Sequence, residues 1–325
     1  MPREHRPRRG SLQFWPRKRA RRIIARVRTW PEEKGVNVLG FACYKAGMTT
    51  VSYVNNIEGS PTFGQVVSCP VTVLDAPPLL VSGLRFYSSS VPGPIVWSRD
   101  KNIQKLLLAK LKLKKVKNDL EKIDTTKYDD VRLLVLTQPR ESGVGKKTPE
   151  LFELPLSGDY EEKVAFAKNM LNKEINVSDV LKPGEFVDVT AVTKGKGFSG
   201  VVKRFGVSIQ GRKNNQHHRH VGAHHVERPG KLDFRTPMAG QLGFQQRTEL
   251  NKLVLKIGDE PSEVNPKGGF VNYGLVKKNY VLIAGSIPGA RKRLVFLKKS
   301  IRPTKKPVEV EIKSIDTSSQ QGVRK

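Results

Sequence analysis

Short runs of alternating apolar and polar positions, rich in β-branched and aromatic residues, recur along the chain. Glycine and proline bound these runs, a pattern typical of β-strands joined by turns. The predicted strand regions are 36–56, 65–87, 131–139, 185–193, 250–258, 280–301 and 308–315. In residues 99–123 and about 160–172 the apolar positions recur at helical spacing instead, which predicts two helices. The pattern therefore predicts a mostly β protein with an α/β insertion.

The order of the predicted elements divides the chain into a β body and four other segments. These are a basic N-terminal extension at 1–34, an inserted α/β unit at 81–180, a central basic loop extension at 197–249 and a C-terminal tail at 316–325. The β body would combine residues 35–80, 181–196 and 250–315. No run of about 18 apolar residues occurs, and the N-terminal extension lacks the apolar core of a signal peptide. The sequence therefore excludes a helical membrane span and argues against secretion.

The two cysteines, Cys43 and Cys69, are too few for a disulfide framework or a four-thiolate zinc site. Both lie in predicted strands with no histidine nearby in sequence, so we expect buried, unreactive thiols. This use of cysteine is typical of proteins in a reducing, cytosolic compartment.

The chain carries a formal net charge of +29, from 59 lysines and arginines against 30 acidic residues. This excess is confined to three tracts. Residues 1–34 hold 12 basic and 3 acidic residues, while residues 194–256 and residues 276–325 each hold 13 and 3. The rest of the chain is neutral, with 21 residues of each sign. Charge concentrated in this way attracts a polyanion, and the abundant cytosolic polyanion is RNA.

The N-terminal extension interleaves arginines with the aromatic residues Phe14, Trp15 and Trp30. Guanidinium groups pair with phosphates in a bidentate way, and aromatic rings offer faces for unpaired bases. No apolar stripe is long enough for a core, so we expect this segment to order only against a partner. An alternative is a short basic helix over about 17–28 that docks on the β body through its few apolar side chains. Both interpretations stay open from the sequence.

The glycines Gly195, Gly197 and Gly200 follow a predicted strand and fit the pattern G-x-G-x-x-G of dinucleotide-binding turns. That site needs a helix afterwards and an acidic residue about twenty positions further on. Residues 201–226 contain no Asp or Glu, and their β-branched, glycine-interrupted start does not predict a helix. We therefore interpret the glycines as backbone that approaches a phosphate chain closely.

Five of the six histidines are clustered, at His217, His218, His220, His224 and His225. His220 and His224 are four residues apart and could share a metal ion on one face of a helix. The neighbourhood lacks cysteine and helix-forming residues, and its arginines disfavour further positive charge. The sequence therefore favours contacts between these imidazoles and RNA over a metal site.

A more specific pattern surrounds the glycines, and nine positions carry it. They are Leu181, Asp188, Ala191, Thr193, Gly195, Lys196, Gly197, Gly200 and Arg204. Their spacing resembles the signature of the large-subunit ribosomal protein L-three family. Residues 44–51 resemble the first strand pair of that family, and residues 238–252 resemble the returning limb of its central extension. The insertion and the long N-terminus look like the archaeal and eukaryotic branch.

This resemblance implies a six-stranded translation-protein-type β-barrel with long basic extensions. It also implies a structural constituent of the large ribosomal subunit that binds its RNA near the 3′ end and nucleates assembly. The N-terminal extension and the central loop would then point toward the peptidyl-transferase centre. The implied partners are large-subunit ribosomal RNA and neighbouring ribosomal proteins, in cytoplasmic ribosomes, with no membrane and no homo-oligomer. We expect no enzymatic activity, no cofactor and no metal.

The residues expected to contact RNA are cationic, aromatic or polar side chains of the two basic extensions, together with one glycine. They are Arg8, Arg9, Phe14, Trp15, Arg17, Arg19, Arg21, Arg22, Lys194, Lys196, Gly197, Lys203, Arg204, Arg212, Lys213, His217, His218, Arg219, His220, Arg228, Gln241 and Arg247. The sequence departs from the family at the loop tip, where Glu227 occupies the place of a tryptophan in a G-x-W-x-P pattern. Phe234 and the histidines could replace that ring.

Two other classes of protein stay open from the residues alone. An RNA-modifying enzyme could use the basic tracts for docking and the histidines for a metal ion. A chromatin-type protein could use the same charge to bind duplex DNA. The histidine cluster is the only feature that points to the enzyme, and only the net charge points to the chromatin protein.

Overall fold

The computed structural model describes residues 10–89, 91–111, 124–222, 230–303 and 306–321. The chain divides into two compact units. We call Met1–Ile23 with Val192–Arg247 the loop unit, and Ile24–Ala191 with Thr248–Lys325 the sheet unit. No helix within the described ranges is long and apolar enough to cross a membrane.

The described residues contain strands and helices in the following order. The strands are β1 (Gly40–Val54), β2 (Val66–Asp75), β3 (Leu79–Ser88), β4 (Val91–Trp97), β5 (Asp130–Leu136), β6 (Leu151–Pro155), β7 (Glu174–Ile175), β8 (Phe186–Val192), β9 (Phe198–Ser199), β10 (Gly240–Gln241), β11 (Gln246–Gly258), β12 (Tyr280–Ala284), β13 (Leu294–Lys299) and β14 (Glu311–Ile315). The α-helices are α1 (Lys101–Leu111), α2 (Tyr160–Met170) and α3 (Val201–Phe205). Single 3-10 turns lie at Leu12–Phe14, Thr125–Lys127, Pro139–Glu141, Val177–Asp179 and Pro261–Glu263.

Six strands of the sheet unit form a closed ring of hydrogen-bonded neighbours. Their order is β13, β8, β11, β12, β2 and β1, and β1 pairs with β13 in turn. Strand β1 is 15 residues long, and its first part pairs with β13 while its last part pairs with β14. Its ladder with β2 shifts register between Lys45 and Gly47. Closure removes the exposed edges that an open sheet of six strands would have.

The core of this ring consists of the β-branched and aromatic residues that predicted the strands. Phe41, Val73, Val189, Val254 and Leu282 come from five different strands and are fully buried. Burial of side chains of this size stabilises the fold by roughly 1.5–3 kcal/mol each. The mostly β character predicted from the sequence is confirmed, and the ring has the expected six strands. Its assignment to the translation-protein type stays a prediction.

A second, five-stranded sheet lies within Leu79–Ile175 and has the order β4, β3, β5 and β6, with β7 paired to β3. Helix α1 packs on it through Ile103 and Leu107, which contact the buried Leu136 at the end of β5. These elements combine strands and helices within the predicted insertion, and the assignment of 81–180 as a separate α/β unit stays a prediction. The second half of the first predicted helix, 112–123, lies outside the described residues.

Two expectations from the sequence, and one of the alternatives it left open, were wrong. Residues 17–28 contain no helix, because arginines and lysines three and four residues apart repel one another on a helix surface. A short helix, α3, does follow the glycine motif, and Gly206 ends it in the left-handed region with a φ of 67°. Cys69 is only partly buried, because no residue in the first half of β2, 66–70, is fully covered. Cys43 is buried as expected, and burial raises the pKa of its thiol.

Asp75, the last residue of β2, is fully buried. Its Oδ2 atom accepts hydrogen bonds from the Tyr273 hydroxyl at 2.7 Å and from the Gly143 amide at 3.1 Å. Burial nevertheless raises the pKa of this carboxyl to about 6, because loss of water outweighs both hydrogen bonds. The carboxylate therefore links β2 to two loops of the sheet unit and destabilises the fold when it ionises.

Substitution of Asp75 is expected to change the pH dependence of stability. The folded pKa lies above the unfolded value, so the folded state binds more protons between about pH 4 and 6, and the free energy of unfolding falls as pH rises. This loss amounts to about 3 kcal/mol by pH 7 and should be absent from D75N. Y273F, which removes a hydrogen bond that lowers the pKa, should extend the loss to higher pH. Parallel urea-unfolding profiles for wild type and D75N from pH 4 to 7 would contradict this expectation.

Candidate nucleic-acid interface

The outgoing and returning limbs of the central loop pair with each other as an antiparallel ribbon. Strands β9 and β10 pair Phe198 with Gln241, and the Leu242 amide donates to the Gly197 carbonyl at 2.9 Å. The Lys196 amide donates in turn to the Leu242 carbonyl at 2.9 Å. Residues 194–198 of this ribbon are exposed to solvent.

The glycines of this ribbon divide into two kinds. Gly243 has a φ of +70°, and a Cβ atom there would lie 2.1 Å from the Lys194 carbonyl oxygen. Gly197 also has a left-handed φ, of +64°. By contrast, Gly200 has an ordinary φ of −68°, and a Cβ atom there would meet nothing within 4 Å. The chain itself therefore requires glycine at 243 and 197, and nothing in its described structure requires glycine at 200.

Alanine substitutions are expected to separate these two kinds of glycine. Gly243→Ala should open the ribbon, because a left-handed φ costs an ordinary residue about 1–2 kcal/mol and the Cβ clash displaces the Lys194 carbonyl. Amide hydrogen exchange at Leu242 and Lys196 should then accelerate markedly. Gly200→Ala is the matched control and should leave both exchange rates as in the wild type. Equal exchange rates in the two variants would refute this account of the ribbon.

The N-terminal segment packs against the central loop within the loop unit. The Arg17 guanidinium donates to the Arg204 carbonyl, and the Arg204 guanidinium donates to the Arg17 carbonyl at 3.2 Å. The Trp15 ring stacks on Phe205, with centroids 5.5 Å apart. The Ala20 amide donates to the Phe244 carbonyl at 2.8 Å. The two basic tracts, which lie far apart in the sequence, thus contact each other.

Several arginines expected to contact RNA also hold this unit together. Arg204 donates to the carbonyls of Met238 and Gln241, at 2.7 and 3.0 Å. Arg247 lies over the Phe14 ring at 4.6 Å, and Arg19 lies over another aromatic ring of the unit at 5.1 Å. Burial lowers the pKa of Arg204 and of Arg247, although a guanidinium stays charged in proteins. Their contacts to RNA stay predictions.

Most of the other expected contact residues form an exposed cationic surface. Exposed side chains in the described loop unit include Arg19, Arg21, Arg22, Lys194, Lys196, Lys203, Arg212, Lys213, His217, His218 and Arg219. Trp15, Arg17, Arg204, His220, Gln241 and Arg247 are half-buried, and Arg8, Arg9 and Arg228 lie outside the described residues. From residue 189 to residue 226 the sequence contains no Asp or Glu. The potential of this surface is therefore positive, with no acidic side chain along that stretch.

The histidine cluster shows no metal-binding geometry in the part of it that is described. His217 and His218 are exposed, and His220 has its Nδ1 atom 3.1 Å from the Val221 carbonyl oxygen. Across the described ranges, no three His, Cys, Asp or Glu side chains are grouped so that they could hold a metal ion. His224 and His225 lie outside those ranges, as does Glu227 at the expected tip.

Sequence reasoning missed some residues of this surface. Lys18, Lys231 and Arg235 are exposed cations of the same unit, and their charge alone could have identified them. Phe198 was also missed, although its side chain is 80% exposed. The contact between Trp15 and Phe205 had no sequence signal, because it joins positions that are far apart in the chain.

Comparison with known proteins accounts for the combination of a closed six-stranded ring and a basic loop unit. The profile of the family described as Ribosomal protein L3 matches residues 1–322. The chain belongs to the ribosomal protein L3 family. This membership confirms the family predicted from the nine-residue signature. Because L3 proteins are ribosomal proteins and not enzymes, it also confirms the expectation that this chain is not an enzyme.

Individual L3 relatives match over nearly the whole chain. The "Large ribosomal subunit protein uL3" of Methanopyrus kandleri is 45% identical over 98% of this chain and 92% of its own length. The protein of the same name from Methanocaldococcus jannaschii is 44% identical over 98% of both chains. That of Pyrobaculum aerophilum is 47% identical over 97% of this chain and 98% of its own. All three are archaeal, in agreement with the branch that the insertion and N-terminus suggested.

The L3 signature joins the two units along the chain. Asp188 and Ala191 lie in β8 of the ring, whereas Gly195, Lys196 and Gly197 form the start of the exposed ribbon. Asp188 is buried, and its carboxylate accepts hydrogen bonds from the Asn251 amide at 3.1 Å and from the Ile301 amide at 3.4 Å. The signature thus contains residues that stabilise the ring and residues that are free to meet a partner.

Proposed function

We propose that this protein is a structural constituent of the large ribosomal subunit that binds the subunit's RNA through its loop unit. The observation that carries the proposal is the exposed cationic surface of the loop unit, within a chain of the L3 family. Lysine and arginine side chains that neutralise phosphates release condensed counterions, which drives binding to RNA. The sheet unit, with its closed six-stranded ring, supplies the folded anchor.

The finer part of the proposal concerns where the protein binds. We infer contact with RNA near the 3′ end of the large-subunit molecule, with the central loop directed toward the peptidyl-transferase centre. A paired ribbon of two limbs is narrow enough to enter crevices between RNA helices that a folded domain cannot enter. Early binding of such a segment would nucleate assembly, because it holds RNA helices together before other proteins arrive. The partners are then the RNA and neighbouring ribosomal proteins, in cytoplasmic ribosomes.

The contacts within the loop unit support this role. Because Arg204 and Trp15 tie the N-terminal segment to the central loop, fewer backbone conformations remain to be lost on binding. Ordering a free chain costs roughly 1–2 kcal/mol per residue for the backbone alone. Partial order before binding reduces this cost and so increases affinity.

Co-sedimentation tests the proposal directly. Large subunits from the source organism are pelleted through a sucrose cushion in salt that strips loosely bound factors, and the chain is quantified by mass spectrometry. We expect one copy per large subunit, constant as the salt concentration rises. Loss of the chain from the pellet, or recovery with DNA instead of the subunit, would refute a structural role in the ribosome.

A further inference from the structure

Phe198 presents a large aromatic ring to solvent on the ribbon of the loop unit. It lies in β9, and 80% of its side chain is exposed, the largest value among the large apolar side chains in the described ranges. A phenylalanine is normally buried, since burying its side chain is favourable by roughly 1.5–3 kcal/mol. The ring is therefore available to a partner without any rearrangement of the chain.

The other aromatic residues of the loop unit already have partners within it. Trp15 stacks on Phe205, and Phe14 lies under the Arg247 guanidinium. Phe234 contacts Trp15 edge-on and also has an arginine over its ring. Phe198, by contrast, makes no ring or cation contact with any residue that the structure describes. Packing within the loop unit therefore does not explain why an aromatic residue occupies position 198.

The backbone beneath Phe198 is held in place. Its neighbour Gly197 accepts a hydrogen bond from Leu242, and Phe198 itself pairs with Gln241 across the ribbon. The Gln241 side chain donates to the carbonyls of Leu242 and Gly243, at 3.1 and 3.0 Å, which ties down the opposite limb. Binding to a ring on a fixed backbone loses little conformational entropy.

The surroundings of the ring favour single-stranded RNA as the occupant. The exposed cations Lys194, Lys196 and Lys203 lie on either side of it in the sequence, and no acidic residue occurs between 189 and 226. Neither the φ of Gly200 nor the packing around it requires a glycine at this position. The space beside its Cα atom is open, so an RNA strand can approach the backbone closely there. When proteins bind single-stranded RNA, lysines contact the phosphates and aromatic rings stack on unpaired bases. An apolar protein partner would leave these lysines desolvated and unpaired.

We propose that Phe198 is a stacking platform for one unpaired base of large-subunit RNA, with the RNA backbone passing over Gly200. This inference rests on the proposed function and adds to it a specific contact. It differs from the cationic contacts because stacking depends on the aromatic face and changes little with salt. Base–aromatic stacking is worth roughly 1–3 kcal/mol per base, which corresponds to about a 5- to 150-fold change in affinity.

The test measures binding of the full-length protein to a transcript of the source organism's large-subunit RNA, by filter binding over a range of salt concentrations. F198A and F198L should each weaken binding about 5-fold or more, with no change in the slope of affinity against salt. F198W should bind like the wild type, because it restores an aromatic face. F63A is the matched control, because Phe63 is a 59% exposed phenylalanine of the sheet unit, and it should leave affinity unchanged.

The possible results separate the stacking contact from the proposed function. Wild-type affinity in both F198A and F198L, while the wild-type protein binds the transcript tightly, would overturn the stacking contact and leave the function intact. Wild-type affinity in F198L alone would also overturn it, because a leucine cannot stack on a base. Failure of the wild-type protein to bind the transcript would overturn the proposed function, and this inference with it.

Discussion

The affinity of this protein for large-subunit RNA is expected to fall by about three to five decades when salt rises from about 50 to 200 mM. About 6–10 phosphate contacts produce a loss of this size, because each contact releases condensed counterions. The exposed side chains of the loop unit can supply that many contacts, even without the arginines that bond to the chain's own carbonyls. The measurement is a titration of the RNA transcript at several salt concentrations.

Two triple variants show which unit produces the salt dependence. Alanine at Lys194, Lys196 and Lys203 should lower the slope of log affinity against log salt by about 1 for each lost contact. The matched control carries alanine at three exposed lysines of the sheet unit, at 168, 173 and 182, and should retain the wild-type slope. A shallow slope in the wild type would mean that shape and aromatic contacts dominate. Equal effects of the two variants would mean that net charge alone matters.

The second large effect is expected in the sheet unit, where Lys298 and Asp188 form a buried ion pair. Their side chains are 4% and 1% exposed, and Lys298 Nζ lies 3.9 Å from Asp188 Oδ2. The same ammonium group donates to the Thr29 carbonyl at 2.8 Å, so it also fastens the last part of the N-terminal extension to β13. Burial lowers the pKa of Lys298, and the charge of Asp188 partly offsets this effect.

K298A should lower the free energy of unfolding by about 3–5 kcal/mol, because it leaves the Asp188 carboxylate buried without its cation. K299A is the matched control, since Lys299 forms an ion pair with Glu33 that is more exposed to solvent, and its loss should cost about 1 kcal/mol or less. Urea unfolding of both variants provides the measurement. The double variant D188N/K298M should be more stable than K298A. A loss below about 1 kcal/mol in K298A would contradict a stabilising role for the pair.

Much of the fold was predictable because the core pattern is local. The alternating β-branched residues of β1, β2, β8 and β12 identify strands wherever they occur, and the helical period identified α1 and α2. Closure of the ring was not predictable from periodicity. It depends on pairing between β1 and β13, which are some 250 residues apart in the chain, and only the family resemblance indicated it.

The candidate site was predictable in its charge and much less so in its architecture. Two of the three basic tracts lie largely in the loop unit, and the third, 276–325, lies in the sheet unit. The signature located Gly195, Lys196 and Gly197 within the loop unit. Nothing local indicated that Arg204 would bond to three carbonyls of its own unit, because those carbonyls come from distant positions. The exposure of Phe198 was hidden for the same reason, since a phenylalanine in a strand normally indicates core.

The central claim is that the loop unit binds ribosomal RNA while the ring remains the folded anchor. Electron cryo-microscopy of large subunits purified from the source organism tests it most directly. The account predicts density for this chain in every subunit, with Lys194, Lys196 and Lys203 against RNA phosphates and a base stacked on Phe198. Subunits without the chain, or a chain whose loop unit faces solvent while another surface contacts the RNA, would contradict it.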